Sequence, residues 1–403
     1  LANMFCMPYN PATAGNCLGI PYMDHAETDL NPRYERGTLQ EVYEMIGKDI
    51  EAGIPLIDDT AYSVPKYHFN YKAACCFASR YYLFMQDWDN AIKYATMALT
   101  SNPSSLLRDY SAIAALPNGT SRHQEYVNSA STANFLLQAA TSNSGLLFDW
   151  YSTAGRYSHG KLQGIYETVQ PKKGGPWGSS VTFKAPHAVL ASSGKYVLPR
   201  TWRVFQYTDP VAGTGFNKAI SVLFTSEEAL LNRAEAYIMK MNEDPTALDK
   251  ALEDINLYAA NLFSAGFKSM TEASIIKWAT ETYPDYSELY VGKTSVSSPQ
   301  TLNPKKKLHA APYNTLEEGG PQESMLQALI FMRRYQFLHE GMRWFDTRRF
   351  GITVYRYLLD EDAETVVQIT DQISDENGTA DPRRALQLPA DVIAAGLTPN
   401  PRK

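Results

Sequence analysis

The chain has 403 residues, of which 44% are hydrophobic and 20% are charged, so it can bury a sizeable core and is not a disordered polymer. Its formal net charge of −6, together with the lack of a long basic run, argues against nucleic acid as a partner. No apolar stretch approaches the roughly 20 residues that a membrane-spanning helix requires.

The N-terminal residues predict the end of a helix, a loop and then a first complete helix. The opening LANMFCM has the pattern of the end of an amphipathic helix, and no signal peptide is recognisable, so we expect an N-terminally truncated fragment. Residues Pro8–Arg36 are rich in Pro, Asn and Gly, which predicts a long loop. Thr38 and Glu41 have the spacing of a capping box, which predicts a helix that ends near Gly53.

Two later segments have the spacing of helical repeats. Lys72–Ser105 fits the 34-residue tetratricopeptide template, with Asp87 as the cap of its second helix. Ser226–Phe263 is a second, looser unit, with Thr225 and Glu228 placed as a capping box. Such repeats stack and present a surface for protein contact, although they can also simply build the core of one domain.

The segment between these repeats, Phe148–Tyr207, has no helical period and is rich in aromatic residues and glycine. A flat indole or phenol ring can pack against the apolar face of a pyranose, so aromatic rings on such loops suit sugar recognition. A second irregular insert, Lys277–Tyr313, adds another tryptophan. The alternative is that these rings anchor irregular loops to the core. The candidates for ligand contact are Trp150, Tyr151, Tyr157, Trp177, Trp202 and Trp278.

Two short charged runs are interpreted as exposed turns. Lys305–Lys307 lies between prolines, and we expect it to form a solvated loop. The acidic residues from Asp360 to Glu364 do not have the spacing of an EF-hand loop, so a solvated turn is favoured and a calcium site is left open.

The segment Gln322–Gly351 has a clear helical pattern, because Met325, Leu329 and Met332 fall on one face that can pack into a core. The segment then ends in a mixture of arginines, carboxylates and aromatic rings. This density of charge beside apolar residues indicates partly buried ion pairs, for which the planar guanidinium of arginine is well suited.

The carboxylates of this segment could act as an acid–base pair, Glu340 with Asp346, or as part of a structural clamp. Arg343 stands three residues from each of them, a spacing that brings side chains together on a helix. Surrounding arginines should lower the pKa of both carboxyl groups, which is the wrong direction for a general acid. We therefore expect a structural clamp.

The pattern RRYQFLHEGMRWFDTRRFG closely resembles the RR-x-E-F-x-x-E-G-x-R-[WF]-x-D-x-x-R signature of the SusD/RagB family of Bacteroidetes. One departure is Gln336, which stands where the family usually has Glu and so removes one partner for the arginines. The residues that match the signature are Arg333, Arg334, Glu340, Arg343, Trp344, Asp346 and Arg349.

The resemblance implies a mainly α fold of tetratricopeptide-like helix pairs with long irregular loop inserts. We expect a single SusD-like domain over residues 1–403. Its parts would be a helical-repeat portion at 1–120, a loop-rich variable insert at 121–225, and a second helical repeat with the C-terminal family segment at 226–403.

The resemblance also implies a function, which is non-catalytic binding of an oligosaccharide at the outer-membrane surface. The full-length protein would be lipid-anchored, with the anchor outside this chain, and would deliver the glycan to a SusC-like TonB-dependent transporter. A peptide-binding, RagB-like member of the family and an α-helical glycoside hydrolase remain as alternatives.

The common catalytic and cofactor-binding motifs are not found in the sequence. It contains no GxSxG elbow, HExxH motif, Walker A loop or dinucleotide fingerprint, and its 7 histidines are scattered. Its 4 cysteines do not have metal-ligand spacing; Cys6 and Cys17 could pair, although free thiols fit the pattern better. We therefore expect no catalytic residue, no cofactor and no metal ligand.

Overall fold

The computed structural model describes residues 1–28, 32–144, 159–160, 167–169, 171, 173–184, 195–196, 200, 204–286, 303–359, 366–376 and 378–402. For residues 159–160, 195–196 and 359 it describes the backbone alone.

Helices in these ranges are numbered α1 to α12 and strands β1 to β9. The helices are Ala2–Phe5, Leu39–Gly53, Tyr71–Met85, Trp88–Leu99, Tyr110–Ala115, Gly119–Tyr126, Ser226–Lys240, Ala247–Leu262, Glu272–Lys277, Pro321–Gln336, Met342–Arg349 and Ala390–Ala394. The strands are Asn134–Thr141, His159–Gly160, Thr182–Phe183, Lys195–Tyr196, Val204–Asp209, Thr214–Thr225, Phe263–Ala265, Val354–Leu359 and Val366–Ile373.

The first predicted repeat is the helix pair α3–α4. Asp87 caps α4 by accepting a hydrogen bond from the backbone N–H of Asn90, as its sequence position predicts. The hydroxyl of Ser79 donates to the carbonyl of Ala91 over 3.1 Å, and Ala98 is also fully buried. These small residues let the two helix backbones approach closely, which confirms the tetratricopeptide-like interpretation of this segment.

The second predicted repeat is the pair α7–α8, and α7 lies at the centre of the fold because it packs against α3, α4, α8 and α10. Thr225 caps α7 by accepting from the N–H of Glu228, as predicted. The carboxylate of Glu228, however, binds the guanidinium of Arg80 on α3, with one contact of 2.6 Å. Of the two hydrogen bonds of the predicted capping box, the one to the Thr225 side chain is present. The Glu228 carboxylate instead links α7 to α3.

The strands form a feature that the sequence interpretation missed. β1, β6 and β5 make a three-stranded antiparallel sheet, in that order, within the part of the chain expected to be loop-rich. Gly213, with a φ of +66°, lies in the tight connection between β5 and β6. Gly215 is also required, because a Cβ there would stand 2.1 Å from the carbonyl oxygen of Gln206. A separate hairpin joins β8 to β9.

Lys305 and Lys306 correct the prediction of a solvated loop at residues 305–307. Their exposures are only 2% and 7%. The ammonium group of Lys305 donates to the carbonyl of Ala279 over 2.6 Å, and that of Lys306 forms an ion pair with Glu167. Buried charges require partners of this kind, so this run helps to hold the structure together.

The two ends of the described chain are joined. The backbone N–H of Leu386 donates to the carbonyl of Met4 over 2.8 Å, and the side chain of Asn400 donates to the carbonyl of Phe5 over 2.7 Å. Arg348 of α11 donates to two further carbonyls of the same N-terminal segment. All 4 cysteines are free. Within the described ranges, none of the helices combines the length and apolar character needed to cross a membrane.

Candidate functional site

The signature segment folds into two helices, α10 and α11, separated by a sharp elbow at residues 337–341. α10 ends at Gln336 and α11 begins at Met342. Within the elbow His339 has a φ of +69° and Gly341 a φ of +79°. A left-handed backbone is strained for a residue such as histidine, and strain of this kind is concentrated at functional sites. The charged side chains of the signature lie in two different environments around this elbow, a buried clamp and the wall of a cavity.

One group of signature residues, Arg333, Asp346 and Arg349, forms a buried clamp. The Nε of Arg333 lies 3.2 Å from both carboxylate oxygens of Asp346, and its Nη1 donates to Asn232 of α7 over 2.8 Å. Arg349 donates to Asp346 over 3.0 Å and to Glu235 of α7 over 2.6 Å. The clamp therefore ties α10 and α11 to the central helix.

The pKa of Asp346 is lowered, as expected for a carboxyl group beside arginines. Burial alone would raise the pKa of Asp346, but Arg333 and Arg349 outweigh burial and lower that pKa below its ordinary value. Asp346 therefore forms ion pairs with two arginines, which is the arrangement expected of a structural clamp. Its i,i+3 partner is Arg349, and Asn232 and Glu235 complete the clamp from a distant part of the sequence.

The other group of signature residues, Arg334, Glu340, Arg343 and Trp344, lines a cavity of about 650 Å³ beside the elbow. This volume lies in the range of small-molecule binding sites. The remaining described walls come from β6, β8 and residues near Glu167 and Lys306. Further lining residues are Tyr126, Thr168, Arg200, Leu223, Phe337, Tyr355 and Tyr357.

Aromatic rings form one side of this cavity. Trp344 stands in the first turn of α11, and its half-buried indole faces the cavity. Tyr355 and Tyr357 alternate along β8 with the exposed Arg356, so both tyrosines lie on the same strand face. Rings of this kind present flat apolar surfaces with a polar N–H or O–H at the edge.

A buried ion triplet forms another wall. Glu167 lies between Lys306 and Arg334, with the second contact at 3.0 Å. Burial would raise the pKa of Glu167, but Arg334 and Lys306 outweigh it and hold that pKa far below its usual range. The pKa of Lys306 is lowered to about 8, chiefly by burial and also by the positive charges of Arg334 and Arg343, against the opposing effect of Glu167.

Glu340 corrects one expectation about the signature. It precedes α11 and forms an ion pair with Arg200, a residue far away in the sequence, at 3.8 Å. It also accepts a hydrogen bond from the hydroxyl of Tyr126. Burial raises the pKa of Glu340 more than Arg200 and Tyr126 lower it, so the predicted lowering is wrong for this carboxyl group.

The aromatic residues predicted to contact ligand divide into two sets. Trp177 and Trp278 are buried, with exposures of 5% and 4%, and both pack against Phe331 of α10. Burial of both rings in the core supports the alternative that they anchor loops, and their assignment to ligand contact stays a prediction. Four candidates lie outside the described residues: Trp150, Tyr151, Tyr157 and Trp202.

Several cavity residues were missed by the sequence interpretation. Glu167, Arg200 and Tyr355 stand in segments without a recognised motif. Alternation of Tyr355 and Tyr357 in β8 was a usable signal, since a period of two indicates one strand face. The acidic run from 360 to 364 lies outside the described residues. Within the described ranges, no group of three His, Cys, Asp or Glu residues is placed to hold a metal ion.

Comparison with known proteins supports the family resemblance. Residues 1–83 match the family SusD-like_3, described as "Starch-binding associating with outer membrane". No curated protein matches the chain in sequence.

Solved structures match over the whole chain. A candidate sugar-binding protein of Bacteroides vulgatus is 20% identical, with a TM-score of 0.57 over 100% of this chain and 73% of its own. A SusD superfamily protein of Bacteroides thetaiotaomicron is 17% identical, with a TM-score of 0.56 over 100% of this chain and 74% of its own. A SusD-like carbohydrate-binding protein of B. vulgatus is 16% identical, with a TM-score of 0.54 over 98% of this chain and 72% of its own.

At these identities the structural likeness establishes the fold, which confirms the predicted mainly α, tetratricopeptide-like architecture. The resemblance of the signature to the SusD/RagB family is supported as well, by the family match of residues 1–83 and by a fold shared with SusD-like structures along the length of the chain.

Proposed function

We propose that this protein captures an oligosaccharide at the outer-membrane surface without any chemical step and delivers it to a SusC-like TonB-dependent transporter. The observation that carries the proposal is the cavity beside the elbow, which combines aromatic rings with charged groups in a SusD-like fold. The family description, with its starch-binding and outer-membrane terms, supports the same ligand class and location.

Sugar binding needs two kinds of contact, and the cavity wall offers both. The faces of Trp344, Tyr355 and Tyr357 can pack against the C–H surface of a pyranose. Hydroxyl groups of the sugar need donors and acceptors around that surface, and Arg343, Thr168 and Ser221 also line the cavity. We therefore assign ligand contact to the cavity half of the signature.

The transporter step is supported by the architecture of the helix pairs. Stacked α3–α4 and α7–α8 pairs resemble arrays that serve as protein-contact scaffolds. In the proposed mechanism the protein would sit over the transporter as a lid, attached by a lipid anchor in the full-length protein, and would release its ligand into the barrel.

One observation favours hydrolysis as a second candidate function. Glu340 has a raised pKa and Glu167 a strongly lowered one, and both line the same cavity. Carboxyl groups with separated pKa values are typical of glycosidase acid–base pairs. Glu167, however, is bound by two cations, which weakens it as a nucleophile or base. Binding without turnover is therefore the better-supported function.

A calorimetric screen with product analysis separates these functions. The protein is titrated with neutral and acidic oligosaccharides and with short peptides, and each mixture is then incubated and analysed for cleavage products. We expect a saturable isotherm with an oligosaccharide and no product after prolonged incubation. Cleavage products would contradict the proposal, and binding of peptides alone would favour the peptide-binding alternative.

A pair of tyrosine variants locates the binding. Tyr355→Ala removes a ring from the cavity wall, whereas Tyr67→Ala removes a ring that is 56% exposed on the α2–α3 connection. We expect the first substitution to weaken oligosaccharide binding by about tenfold and the second to leave it unchanged. Equal affinities for the two variants would exclude the cavity as the binding site.

A further inference from the structure

The charged side chains of the cavity point to the chemical class of its ligand. Among the described lining residues, the strongly charged cations are Lys306, Arg200, Arg334 and Arg343, and the carboxylates are Glu167 and Glu340. The chain as a whole carries a net charge of −6. The described cavity wall is therefore richer in positive charge than the protein that surrounds it.

Lys306 shows how this charge is concentrated. Its side chain is 9% exposed, and its ammonium group forms an ion pair with Glu167, which itself also binds Arg334. One carboxylate is thus shared between two cations, and Arg343 adds its own positive charge in the same cavity. Like charges held together in a partly enclosed site produce a positive potential that favours an anionic ligand.

Aromatic and cationic groups are also neighbours in this cavity. Arg343 and Trp344 are consecutive in the first turn of α11, and both line it. An indole can hold a sugar ring while a guanidinium donates two parallel hydrogen bonds to a carboxylate or sulfate on that ring. A neutral sugar could use only the ring, whereas a sugar with an anionic group could use both the ring and the guanidinium.

We propose that the cavity selects oligosaccharides that carry anionic groups, either the carboxylates of uronic acids or sulfate esters. This inference rests on the proposed function, because it specifies the ligand of the same site. Arg343 is the residue that contributes most to the selection, since its position beside Trp344 allows both contacts on one sugar unit.

Paired ligands that differ only in charge test the proposal. Oligogalacturonides are titrated against their methyl-esterified forms, and κ-carrageenan oligosaccharides against the same oligosaccharides after chemical desulfation, by calorimetry at low and at physiological salt. We expect at least tenfold tighter binding of the charged member of one pair, and weaker binding of that member as salt rises. The pair that shows the preference identifies the anionic group as carboxylate or sulfate.

Arginine variants connect the preference to the cavity. Arg343→Gln should remove most of the difference between charged and neutral ligands. Arg356→Gln, on the exposed opposite face of β8, should retain that difference. Thermal unfolding of both variants verifies that they are folded, and the salt dependence of the unmodified protein tests the proposal even if Arg343→Gln does not fold.

The outcomes distinguish this inference from the proposed function. Equal or tighter binding of the neutral ligands, weakened by Tyr355→Ala, would overturn the preference for anionic ligands and leave sugar capture intact. An Arg343→Gln variant that keeps the full preference would also overturn it. Binding of no oligosaccharide of either class would overturn both proposals together.

Discussion

The two groups of signature residues, those of the clamp and those of the cavity wall, both contain arginines and a carboxylate. They differ in their surroundings and in the pKa of that carboxyl group. In the clamp, Asp346 is buried against two arginines and its pKa is lowered. In the cavity wall, Glu340 pairs with Arg200 at the longer distance of 3.8 Å, and its pKa is raised by burial. The number of arginines nearby in the sequence therefore does not predict the direction of a carboxyl group's pKa shift. That direction depends on how close the charged partners lie in the folded structure and on how deeply the group is buried.

The comparison also separates two roles. A carboxylate that binds two buried arginines costs a great deal to remove, since its loss leaves buried charges uncompensated. A carboxylate on a cavity wall can lose its charge more easily, because its ion pair is longer and the site is open to solvent or ligand. Changes in the clamp should therefore act on stability, and changes in the cavity wall should act on binding.

The largest expected effect on stability is that of Asp346→Asn. Loss of this charge leaves Arg333 and Arg349 competing for Glu235, so we expect the free energy of unfolding to fall by about 3–5 kcal/mol. Denaturant titration at pH 7 measures this loss. Asp371→Asn is the matched control, because that exposed carboxylate pairs with Arg383 at the surface and should change stability little.

The loss of unfolding free energy in Asp346→Asn should depend on pH, and the direction of that dependence tests the lowered pKa of Asp346. The pKa of Asp346 is lower in the folded protein than in the unfolded chain, so its stabilisation is present at neutral pH and is lost as pH falls through the folded pKa. The deficit of the variant should therefore shrink in acid. A deficit that is constant with pH would show that the carboxylate charge is not what stabilises the clamp.

A smaller, pH-dependent effect is expected for Lys306→Met. Lys306 titrates at about 8 in the folded protein, whereas an unfolded lysine titrates near 10.4. Between these values the unfolded state binds more protons, so the contribution of Lys306 to stability rises with pH by at most about 1.4 kcal/mol per pH unit.

Denaturant titrations at intervals from pH 7 to pH 10 measure this difference. The stability of the original protein should increase relative to that of the Lys306→Met variant across the range. A difference that is flat with pH, or that falls, would mean that Lys306 is not desolvated beside Glu167 as the structure has it.

The smallest expected effect on stability is that of Glu340→Gln, which should change the free energy of unfolding at pH 7 by about 1 kcal/mol or less. The amide can still accept from Tyr126, and burial already disfavours the charged form. Because the folded pKa is raised, the carboxyl group becomes a growing liability as pH rises from about 4.5 through that pKa.

The variant should accordingly gain stability relative to the original protein between pH 4 and pH 7, which is the opposite trend to that of Asp346→Asn. Parallel titrations of both variants measure the two slopes. Equal slopes of the same sign would remove the distinction between clamp and cavity wall.

Much of the helical architecture could be predicted from sequence, because local signals determine it. The repeat spacing around Ser79 and Ala91, the cap at Asp87 and the capping box of Thr38 with Glu41 all act over a few residues. The family signature added the fold as a whole. The three-stranded sheet was missed because its central strand follows a stretch of aromatic and glycine residues that obscures the period of two.

The candidate site was harder to predict because long-range contacts form it. Glu167 meets Lys306 across 139 residues of sequence, and Arg200 meets Glu340 across 140. Lys306 looked solvated beside two other lysines, yet its partner lies in a segment with no motif. Trp177 and Trp278 looked suited to sugar binding, but a sequence does not show which face of a loop is covered by a helix such as α10.

The most direct test of the separation between clamp and cavity wall is a Trp344→Ala variant, measured by calorimetry with the oligosaccharide that binds the original protein. We expect at least a tenfold loss of affinity, with a smaller loss of unfolding free energy than Asp346→Asn causes. Unchanged affinity in a folded Trp344→Ala protein would contradict the assignment of ligand binding to this half of the signature.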